Sequence, residues 1–348
     1  MPSGLLQRLL TRSGVLPFLR RQWRDDQHIT AKKLEERVTR NIETVASRAE
    51  EMAKAADAAA ERIAQLDREV RMLRATLALN AEHRTPRYPA PTFEPNRVAA
   101  HVARAITSAL MHTDPTPHLV IDELLPTDTY QALVDAIPPR IFFSQRDNTK
   151  QDLKPIAMEV APERTFKALG FMEEQIIPQM IVPMLFARFE THIRSMYQTT
   201  YGPALASQVA SVPHVATRGR LMLRRPGYHL DPHLDPKRVV VTCLIYFARP
   251  GDSEAYGTSF YRINGVPNID RTSTFYPRTQ GLTCDLVKTV PFRPNSAVAF
   301  LNFGAAHGAD IPKSAPRETE RYAYQFYVSP EAEALAALVG EAEAAIAE

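Results

Sequence analysis

Residues 227–247, GYHLDPHLDPKRVVVTCLIYF, contain two His-x-Asp tripeptides four residues apart, His229-Leu-Asp231 and His233-Leu-Asp235. Imidazole nitrogens and carboxylate oxygens are both ligands for divalent transition metals. After residue 233 the chain has only one more histidine, His307, directly behind an apolar run at 296–303. Either tripeptide together with His307 would supply two imidazoles and one carboxylate. The pattern therefore predicts a metal centre.

Two imidazoles and one carboxylate occupy one face of an octahedral ion and leave three positions open, which is the ligand set of non-haem Fe(II) oxygenases. Open positions can take a bidentate 2-oxo acid and then O2. A dicarboxylate cosubstrate also needs a cation for its far carboxylate, and the planar fork of arginine suits that role. The candidate is Arg321, which opens the run RYAYQFYV; the alternative is Arg317 in KSAPRETE, a segment typical of a solvated turn.

Strand alternation divides the run RYAYQFYV into two faces. Arg321 shares one face with Ala323, Gln325 and Tyr327, and the other face carries Tyr322, Tyr324, Phe326 and Val328. The first set leaves room for a ligand, and the second is typical of packing.

Upstream, Tyr228 could donate a hydrogen bond to the cosubstrate, with packing as the alternative. Cys243 and Cys284 lie in strand-like runs and are expected to be small core residues.

A long segment without helix breakers precedes these residues. None of the 28 prolines lies between Pro17 and Pro86, and no glycine lies between Gly14 and Gly170. Within residues 29–82, apolar residues recur at spacings of three and four, which predicts a coiled coil that drives self-association or docks a partner. One helix folded back on its own domain is the alternative. The repeat comprises Val38, Ile42, Val45, Ala49, Met52, Ala56, Ala59, Ile63, Leu66, Val70, Leu73 and Leu77.

The remaining chain divides by composition. Residues 83–98 form a proline-rich linker, 99–218 are largely helical, 219–330 hold six or more short β-rich runs, and 331–348 form an Ala/Glu-rich helix. Strands that follow a helical block predict an α+β fold, with an antiparallel sandwich or jelly roll supported by helices.

Composition and charge limit the function classes. The formal net charge of +3 is too small to predict nucleic-acid binding. Residues 1–28 form a basic amphipathic segment that could lie on an anionic membrane, pack on the protein or act as an organelle-targeting peptide. No apolar run reaches the ~18 residues of a spanning helix. With only two cysteines, the expected location is the reducing cytoplasm, with membrane association as a further option.

Four segments in order resemble 2-oxoglutarate/Fe(II)-dependent dioxygenases of the prolyl-hydroxylase-like group. They are PHLVIDELLPTDTYQALVDAIP, PHLDPKRVVVTCLIYF, VPFRPNSAVAFLNFGAAHGAD and RYAYQFYV, and the match covers residues 115–330. The resemblance implies a double-stranded β-helix that couples oxidative decarboxylation of 2-oxoglutarate by O2 to hydroxylation of a substrate. Residues 1–110 lie outside it.

The resemblance also implies the role of each site residue. In the family pattern the metal-binding His-x-Asp directly precedes a basic residue and a long apolar strand, which selects His233 and Asp235, with His307, as iron ligands. Strand alternation alone does not decide, because a spacing of four puts both tripeptides on one face. His229 would then contact the ligands or the substrate, or lie on the surface. Arg321 would bind 2-oxoglutarate, and the carboxylate at 235 favours hydroxylation over halogenation.

One departure from the family pattern affects the substrate. Many relatives carry a Gly-Gly-x-Leu segment after the strand that follows the first metal motif, where this chain has EAYGTSFYRING. A small molecule, a glycan and a protein side chain therefore all stay open as substrates. The alternative function is a coiled-coil scaffold whose β-domain is catalytically inactive and binds a ligand or a protein.

Overall fold

The structure is a computed structural model and describes residues 31–83, 93–144, 147–153, 155–265 and 273–338. The chain divides into two compact units, one ending at Glu69 and the other beginning at Val70. The basic segment 1–28, most of the proline-rich linker and residues 339–348 lie outside the described residues. None of the helices described combines the length and the apolar composition that a membrane-spanning segment needs.

The first long element is helix α1, Ala31–His83, with 53 residues. Its uninterrupted length follows from the absence of proline and glycine, and the predicted helix is confirmed. Seven large apolar residues of the heptad repeat are exposed, namely Val45, Met52, Ile63, Leu66, Val70, Leu73 and Leu77. Association of a second helix along this seam stays a prediction.

The last turns of α1 belong to the second unit. Met72 is only 6% exposed and packs against Phe142 and Ala157. Asn80 Oδ1 accepts a hydrogen bond of 2.9 Å from the backbone N–H of Glu163, the first residue of helix α5 (Glu163–Phe171). Residues 70–83 thus use one face to pack within the second unit, while Val70, Leu73 and Leu77 of the heptad face stay exposed. The heptad pattern predicts a coiled coil over all of 29–82.

The other helices precede most of the strands. They are α2 (Pro95–Ser108), α3 (Thr127–Asp135), α4 (Pro155–Glu159), α5, α6 (Val182–Tyr201) and α7 (Pro203–Ser211), and residues 332–338 are also helical. Between α5 and α6, Met172–Ile181 forms a π-helix with Pro178 inside it. Proline lacks the backbone N–H and clashes with the preceding turn of an α-helix, so a wider turn accommodates it.

The strands form two antiparallel sheets. In chain order they are β1 (Met111–His112), β2 (His118–Ile121), β3 (Lys150–Asp152), β4 (His214–Arg224), β5 (His229–His233), β6 (Val241–Phe247), β7 (Thr258–Asn264), β8 (Thr283–Val290), β9 (Pro294–Leu301), β10 (Ala305–Asp310) and β11 (Arg321–Pro330). A seven-stranded sheet has the order β1-β2-β9-β6-β11-β4-β3, and a four-stranded sheet has the order β5-β10-β7-β8.

The seven-stranded sheet is apolar on both faces. One face packs against α2, α5, the π-helix and α6, and it includes Leu223, Ile245 and Tyr324. The opposite face includes Met222, Leu244 and Ala323 and packs with residues of the four-stranded sheet. Successive residues of β6, and of Leu221–Leu223 in β4 and Tyr322–Tyr324 in β11, therefore alternate between two apolar cores, which explains the continuous apolar run of β6.

The predicted α+β class with antiparallel sheets agrees with the structure. Each of the six predicted β-rich runs contains an observed strand, and the predicted faces of RYAYQFYV are confirmed because Tyr322, Tyr324, Phe326 and Val328 all lie in the helix-facing core. β2 lies in PHLVIDELLPTDTYQALVDAIP, where Leu119 and Ile121 also predict a strand, whereas β1, β3, β5 and β10 were not predicted. They are short or carry polar residues and glycine, so their periodicity is weak. The double-stranded β-helix stays a finer prediction.

Candidate metal centre

Strands β5 and β10 bring the two candidate histidines together. His233 ends β5 and pairs directly with His307 of β10. A Cβ at Gly308, the next residue, would lie 2.6 Å from the backbone oxygen of Leu230, so only glycine allows this close approach of β10 to β5. The ring centroids of His233 and His307 are 4.1 Å apart. His307 therefore lies on a strand of its own, whereas the sequence analysis had placed it only after an apolar run.

Asp235 completes a buried group of three potential ligands, which we call the metal cluster: His233, Asp235 and His307. One ligand atom from each residue lies within 4.8 Å of the others. His307 Nε2 is 3.6 Å from Asp235 Oδ2, and His233 Nε2 is 3.9 Å from Asp235 Oδ1. Nitrogen and oxygen ligands bind first-row ions at about 2.1 Å, so two of them on one ion lie at most about 4.2 Å apart, and both distances from Asp235 to the histidines lie within this limit. The donor set therefore fits one divalent ion.

Burial favours the neutral form of both histidines of the cluster. Burial lowers the pKa of His307 to about 3, and the neighbouring His233 contributes to this shift. Burial also lowers the pKa of His233, and the positive charge of Lys150 adds to the effect. His233 Nδ1 donates a hydrogen bond of 2.9 Å to the backbone oxygen of Asp231. This bond fixes the tautomer and leaves the Nε2 lone pair directed at the cluster.

The Asp235 carboxylate is oriented by two hydroxyl groups. Thr242 Oγ1 donates to Oδ2 over 2.7 Å, and the Tyr327 hydroxyl donates to Oδ1 over 3.2 Å. Thr242 and Tyr327 are paired neighbours on β6 and β11, so their side chains point to the same face. A carboxylate has about four acceptor positions, so both oxygens keep capacity for a metal ion.

Asn302 holds the backbone that carries Asp235. It follows β9 and is 2% exposed. Its Oδ1 accepts a hydrogen bond of 3.0 Å from the N–H of Asp235, and its Nδ2 lies within 3.1 Å of the backbone oxygens of Asp235, Pro236 and Val239. A single side chain thus ties the turn after the metal motif to the strand that leads to His307. Asn302 was not predicted, because nothing in the sequence around it indicates a partner 67 residues away.

The rival tripeptide lies outside the cluster. His229 is 57% exposed and sits between Asp231 and Asp310, at 3.1 and 3.0 Å, and these two hydrogen bonds raise its pKa. Between Leu230 and His233 the register of β5 against β10 shifts by one residue. One extra residue reverses the alternation of faces. His229 therefore points away from the face that His233 occupies.

Arg321 is a buried cation with incomplete partners. It is 2% exposed, its Nε donates to the backbone oxygen of Tyr256, and its Nη2 has no hydrogen-bond partner. Its guanidinium carbon lies 5.3 Å from the ring centroid of Tyr246 and 5.2 Å from that of Phe292. Burial lowers its pKa. An unpaired buried charge is costly, so this group is poised to accept an anion.

The alternative arginine and the candidate tyrosine occupy different positions. Arg317 is exposed, and its backbone oxygen accepts a hydrogen bond from Arg225. Tyr228 is 5% exposed and lies beneath the guanidinium of Arg224, whose central carbon is 5.1 Å from the ring centroid. Tyr228 packs with Ile311 and Ala315. Packing is thus its observed contact, and a role in binding the cosubstrate stays a prediction.

One cavity of about 230 Å³ connects these groups. It is lined by the metal cluster, by Arg321, Gln325 and Tyr327 of β11, and by Tyr228. Three further cations line it that the sequence analysis did not select: Lys150, Arg220 and Arg224. Strand alternation from Arg224 identifies Arg220 as a residue of the same face. Lys150 had no local signal, because β3 has only three residues.

Comparisons with known proteins give matches among solved structures only. No protein-family profile and no curated protein matches the chain. A prolyl 4-hydroxylase from Phytophthora capsici is 16% identical with a TM-score of 0.36, covering 69% of this chain and 66% of that one. A prolyl-4-hydroxylase from Pseudomonas putida is 14% identical with a TM-score of 0.32, covering 67% and 100%. HygX from Streptomyces hygroscopicus, with nickel, 2-oxoglutarate and hygromycin B bound, is 16% identical with a TM-score of 0.34, covering 63% and 84%.

Proposed function

We propose that this protein is an Fe(II)- and 2-oxoglutarate-dependent hydroxylase. One observation carries the proposal: the buried metal cluster shares a cavity with Arg321, a buried guanidinium whose Nη2 has no hydrogen-bond partner. Two neutral imidazoles and a carboxylate suit a divalent iron. The incompletely bonded guanidinium suits a carboxylate of the cosubstrate.

His233 and His307 would bind the ion through neutral imidazole nitrogens. Because their pKa values are lowered by burial, they need not release protons to bind a metal at neutral pH. The backbone oxygen of Asp231 holds His233 Nδ1–H and fixes the orientation of its ring. Thr242 and Tyr327 hold the Asp235 carboxylate in the same way. The ligands are therefore oriented before an ion binds.

Arg321 would bind the carboxylate of 2-oxoglutarate that is remote from the ion. Its Nε is held by the Tyr256 backbone oxygen, which leaves Nη2 to donate. The rings of Tyr246 and Phe292 flank the guanidinium and exclude water, which strengthens a charge-assisted hydrogen bond. Bound iron and 2-oxoglutarate would together supply the oxidative chemistry, in which O2 is consumed, succinate and CO2 form, and the substrate is hydroxylated.

Succinate formation from 2-oxoglutarate tests the proposal. The full chain should form succinate when Fe(II), 2-oxoglutarate and O2 are present, and chelation of the metal should stop the reaction. Asp235→Ala should be inactive, and Asp231→Ala is its matched control, because the Asp231 side chain pairs with Arg278 on the surface. Wild-type protein that neither binds 2-oxoglutarate nor forms succinate would favour the inactive scaffold.

We further propose that the two antiparallel sheets form a double-stranded β-helix and that α1 joins copies of this chain into an oligomer. The heptad seam supports the second proposal, since its large apolar residues are exposed along the helix. An isolated helix of this kind gains most of its stability by burying such a seam against a partner. The peptide 31–83 should therefore associate in sedimentation, and a monomeric peptide would contradict oligomerisation through this helix.

A further inference from the structure

Cations line the metal cavity in a row that crosses three strands. In the seven-stranded sheet, Lys150 of β3 pairs with Arg224 of β4, and Arg224 pairs with Arg321 of β11. Paired residues on antiparallel strands project from the same face. Arg220 lies four residues before Arg224 on β4, and therefore on the same face, where it pairs with Gln325 of β11. All four cations line the cavity, and among the described residues that line it the only acid is Asp235.

Arg224 already has an anionic partner, and Arg321 is proposed to bind one. Arg224 is 1% exposed, donates to Asp152 Oδ1 over 2.9 Å and to the Gln151 backbone oxygen over 2.7 Å, and is thereby neutralised. Arg321 is assigned to 2-oxoglutarate by the function proposed above. The positive charges of Fe(II) and Arg321 would be balanced by Asp235 and the two carboxylates of 2-oxoglutarate. The charges of Lys150 and Arg220 then have no counterpart in the loaded cavity.

The two remaining cations have only neutral or weak partners. Arg220 donates to the amide oxygen of Gln325 over 3.1 Å from Nε and 2.5 Å from Nη2. Lys150 lies at the exposed end of the row, and Asp147, three residues before it, accepts hydrogen bonds from the backbone N–H groups of Thr149 and Lys150 and from the Thr149 hydroxyl. Among the residues described, no carboxylate forms an ion pair with either cation. Cations beside a site attract anions.

We infer that the substrate is an anion, carrying carboxylate or phosphate groups, and that Lys150 and Arg220 are the residues that select it. This inference rests on the proposed function, because the charge count includes iron and 2-oxoglutarate. Lys150 aligns with Arg224, and Arg220 lies four residues from Arg224, about 13 Å along a strand at ~3.3 Å per residue. The two cations therefore flank the cavity at separate positions, and an extended anion or one with two charged groups can reach both.

Relaxation of a small anion by a paramagnetic ion tests the inference without knowledge of the substrate. The full chain is loaded with Mn(II) and saturating 2-oxoglutarate without O2, and calorimetry verifies that both are bound. Inorganic phosphate is observed by 31P relaxation, and acetate by 13C relaxation in a second arm. Wild type should enhance the relaxation of at least one anion, and the arm with the larger effect identifies phosphate or carboxylate as the preferred group.

Variants assign the enhancement to the two cations. Lys150→Gln and Arg220→Gln should each raise the apparent Kd of the anion about threefold to fivefold, and the double variant should raise it about tenfold or more, as expected for partly exposed ion pairs. Arg317→Ala is the control, because it removes one exposed positive charge outside the cavity, and its Kd should equal that of wild type. All these variants should bind Mn(II) and 2-oxoglutarate like wild type.

The outcomes separate the two proposals. Protein that binds neither Mn(II) nor 2-oxoglutarate overturns the proposed function. Loaded protein that leaves both anions unaffected, or a double variant with wild-type relaxation, overturns the anionic substrate while the hydroxylase remains. Relaxation that Arg317→Ala lowers as much as Lys150→Gln would show general surface charge and would also overturn the selection by these residues.

Discussion

Replacement of Arg321 by methionine should abolish the binding of 2-oxoglutarate without destabilising the protein. Methionine fills a similar length of side chain but has no charge and no donor. Arg321 is 2% exposed and its Nη2 is unpartnered in the free protein. A buried, incompletely paired cation contributes little to stability, and a buried apolar replacement is often neutral or stabilising. The same replacement leaves the carboxylate of 2-oxoglutarate without its counter-ion.

The size of the effect follows from burial. Loss of one partner from a buried charge pair costs about 3–5 kcal/mol, and each 1.4 kcal/mol is about tenfold in Kd. Affinity for 2-oxoglutarate should therefore fall by roughly two to three orders of magnitude or more. Arg321→Lys keeps the charge but loses the planar fork, which holds the Tyr256 oxygen and donates from Nη2. Its affinity for 2-oxoglutarate should therefore lie between that of wild type and that of Arg321→Met.

Calorimetric titration of 2-oxoglutarate into Mn(II)-loaded protein without O2 measures binding apart from chemistry. Thermal unfolding gives a second measurement on the same samples. A ligand at 100 times its Kd stabilises the folded state by about 2.7 kcal/mol, and a thousandfold weaker ligand stabilises it by less than about 0.1 kcal/mol. The control is Arg317→Ala, which is exposed and should change affinity by less than about fivefold. Wild-type affinity in Arg321→Met, with a large loss in Arg317→Ala, would refute the assignment.

Alanine at any one residue of the metal cluster should abolish Fe(II)-dependent succinate formation, while the circular dichroism spectrum stays native. His229→Ala should retain turnover. An inactive His229→Ala together with an active His233→Ala would contradict the assignment of the metal cluster. Acid should destabilise the protein through His214, because burial lowers its pKa to about 4 from about 6.5 in the unfolded chain. The unfolded state then binds the proton first, so stability falls as the pH drops from about 6.5 towards 4, by about 2–3 kcal/mol at pH 4.5. Urea unfolding at pH 7 and pH 4.5 measures this loss, and His214→Asn should reduce it. Deletion of residues 1–69 should lower the oligomeric order in sedimentation and preserve succinate formation. Deletion of residues 1–85 should also lower the melting temperature, because it removes the buried Met72, and loss of a buried methionine typically costs about 2–5 kcal/mol.

Helix α1 illustrates what a periodic pattern can predict. The heptad repeat and the absence of proline and glycine predict one long helix, which the structure confirms. The same pattern assigned every turn to a coiled coil, although Met72 and Asn80 belong to the second unit and contact its other residues. Periodicity identifies the residues of one face, but contacts of another face with a distant part of the chain leave no periodic trace. The partner of each face is a property of the tertiary structure.

The residues around Asp235 illustrate the same limit in the candidate site. Tyr327 was predicted to share the face of Arg321, because alternation within one strand is local. Asn302, Thr242 and Lys150 were not selected, since each reaches the site through strand pairing or through a hydrogen bond to a distant segment. Their residue types are common in strands and turns, so composition alone does not distinguish them.

The sequence by itself determined the types of ligand, their order along the chain and the side of the last strand that carries Arg321. It left two His-x-Asp tripeptides equivalent by alternation, because four residues is an even number. The family resemblance selected His233 and Asp235, and the tertiary structure gives the physical reason: His233 pairs with His307, and a one-residue shift in the register of β5 against β10 turns His229 to the other face, towards Asp310. Such a shift depends on the pairing of two strands about 75 residues apart, and the pairing is set by packing across the whole sheet rather than by the local sequence.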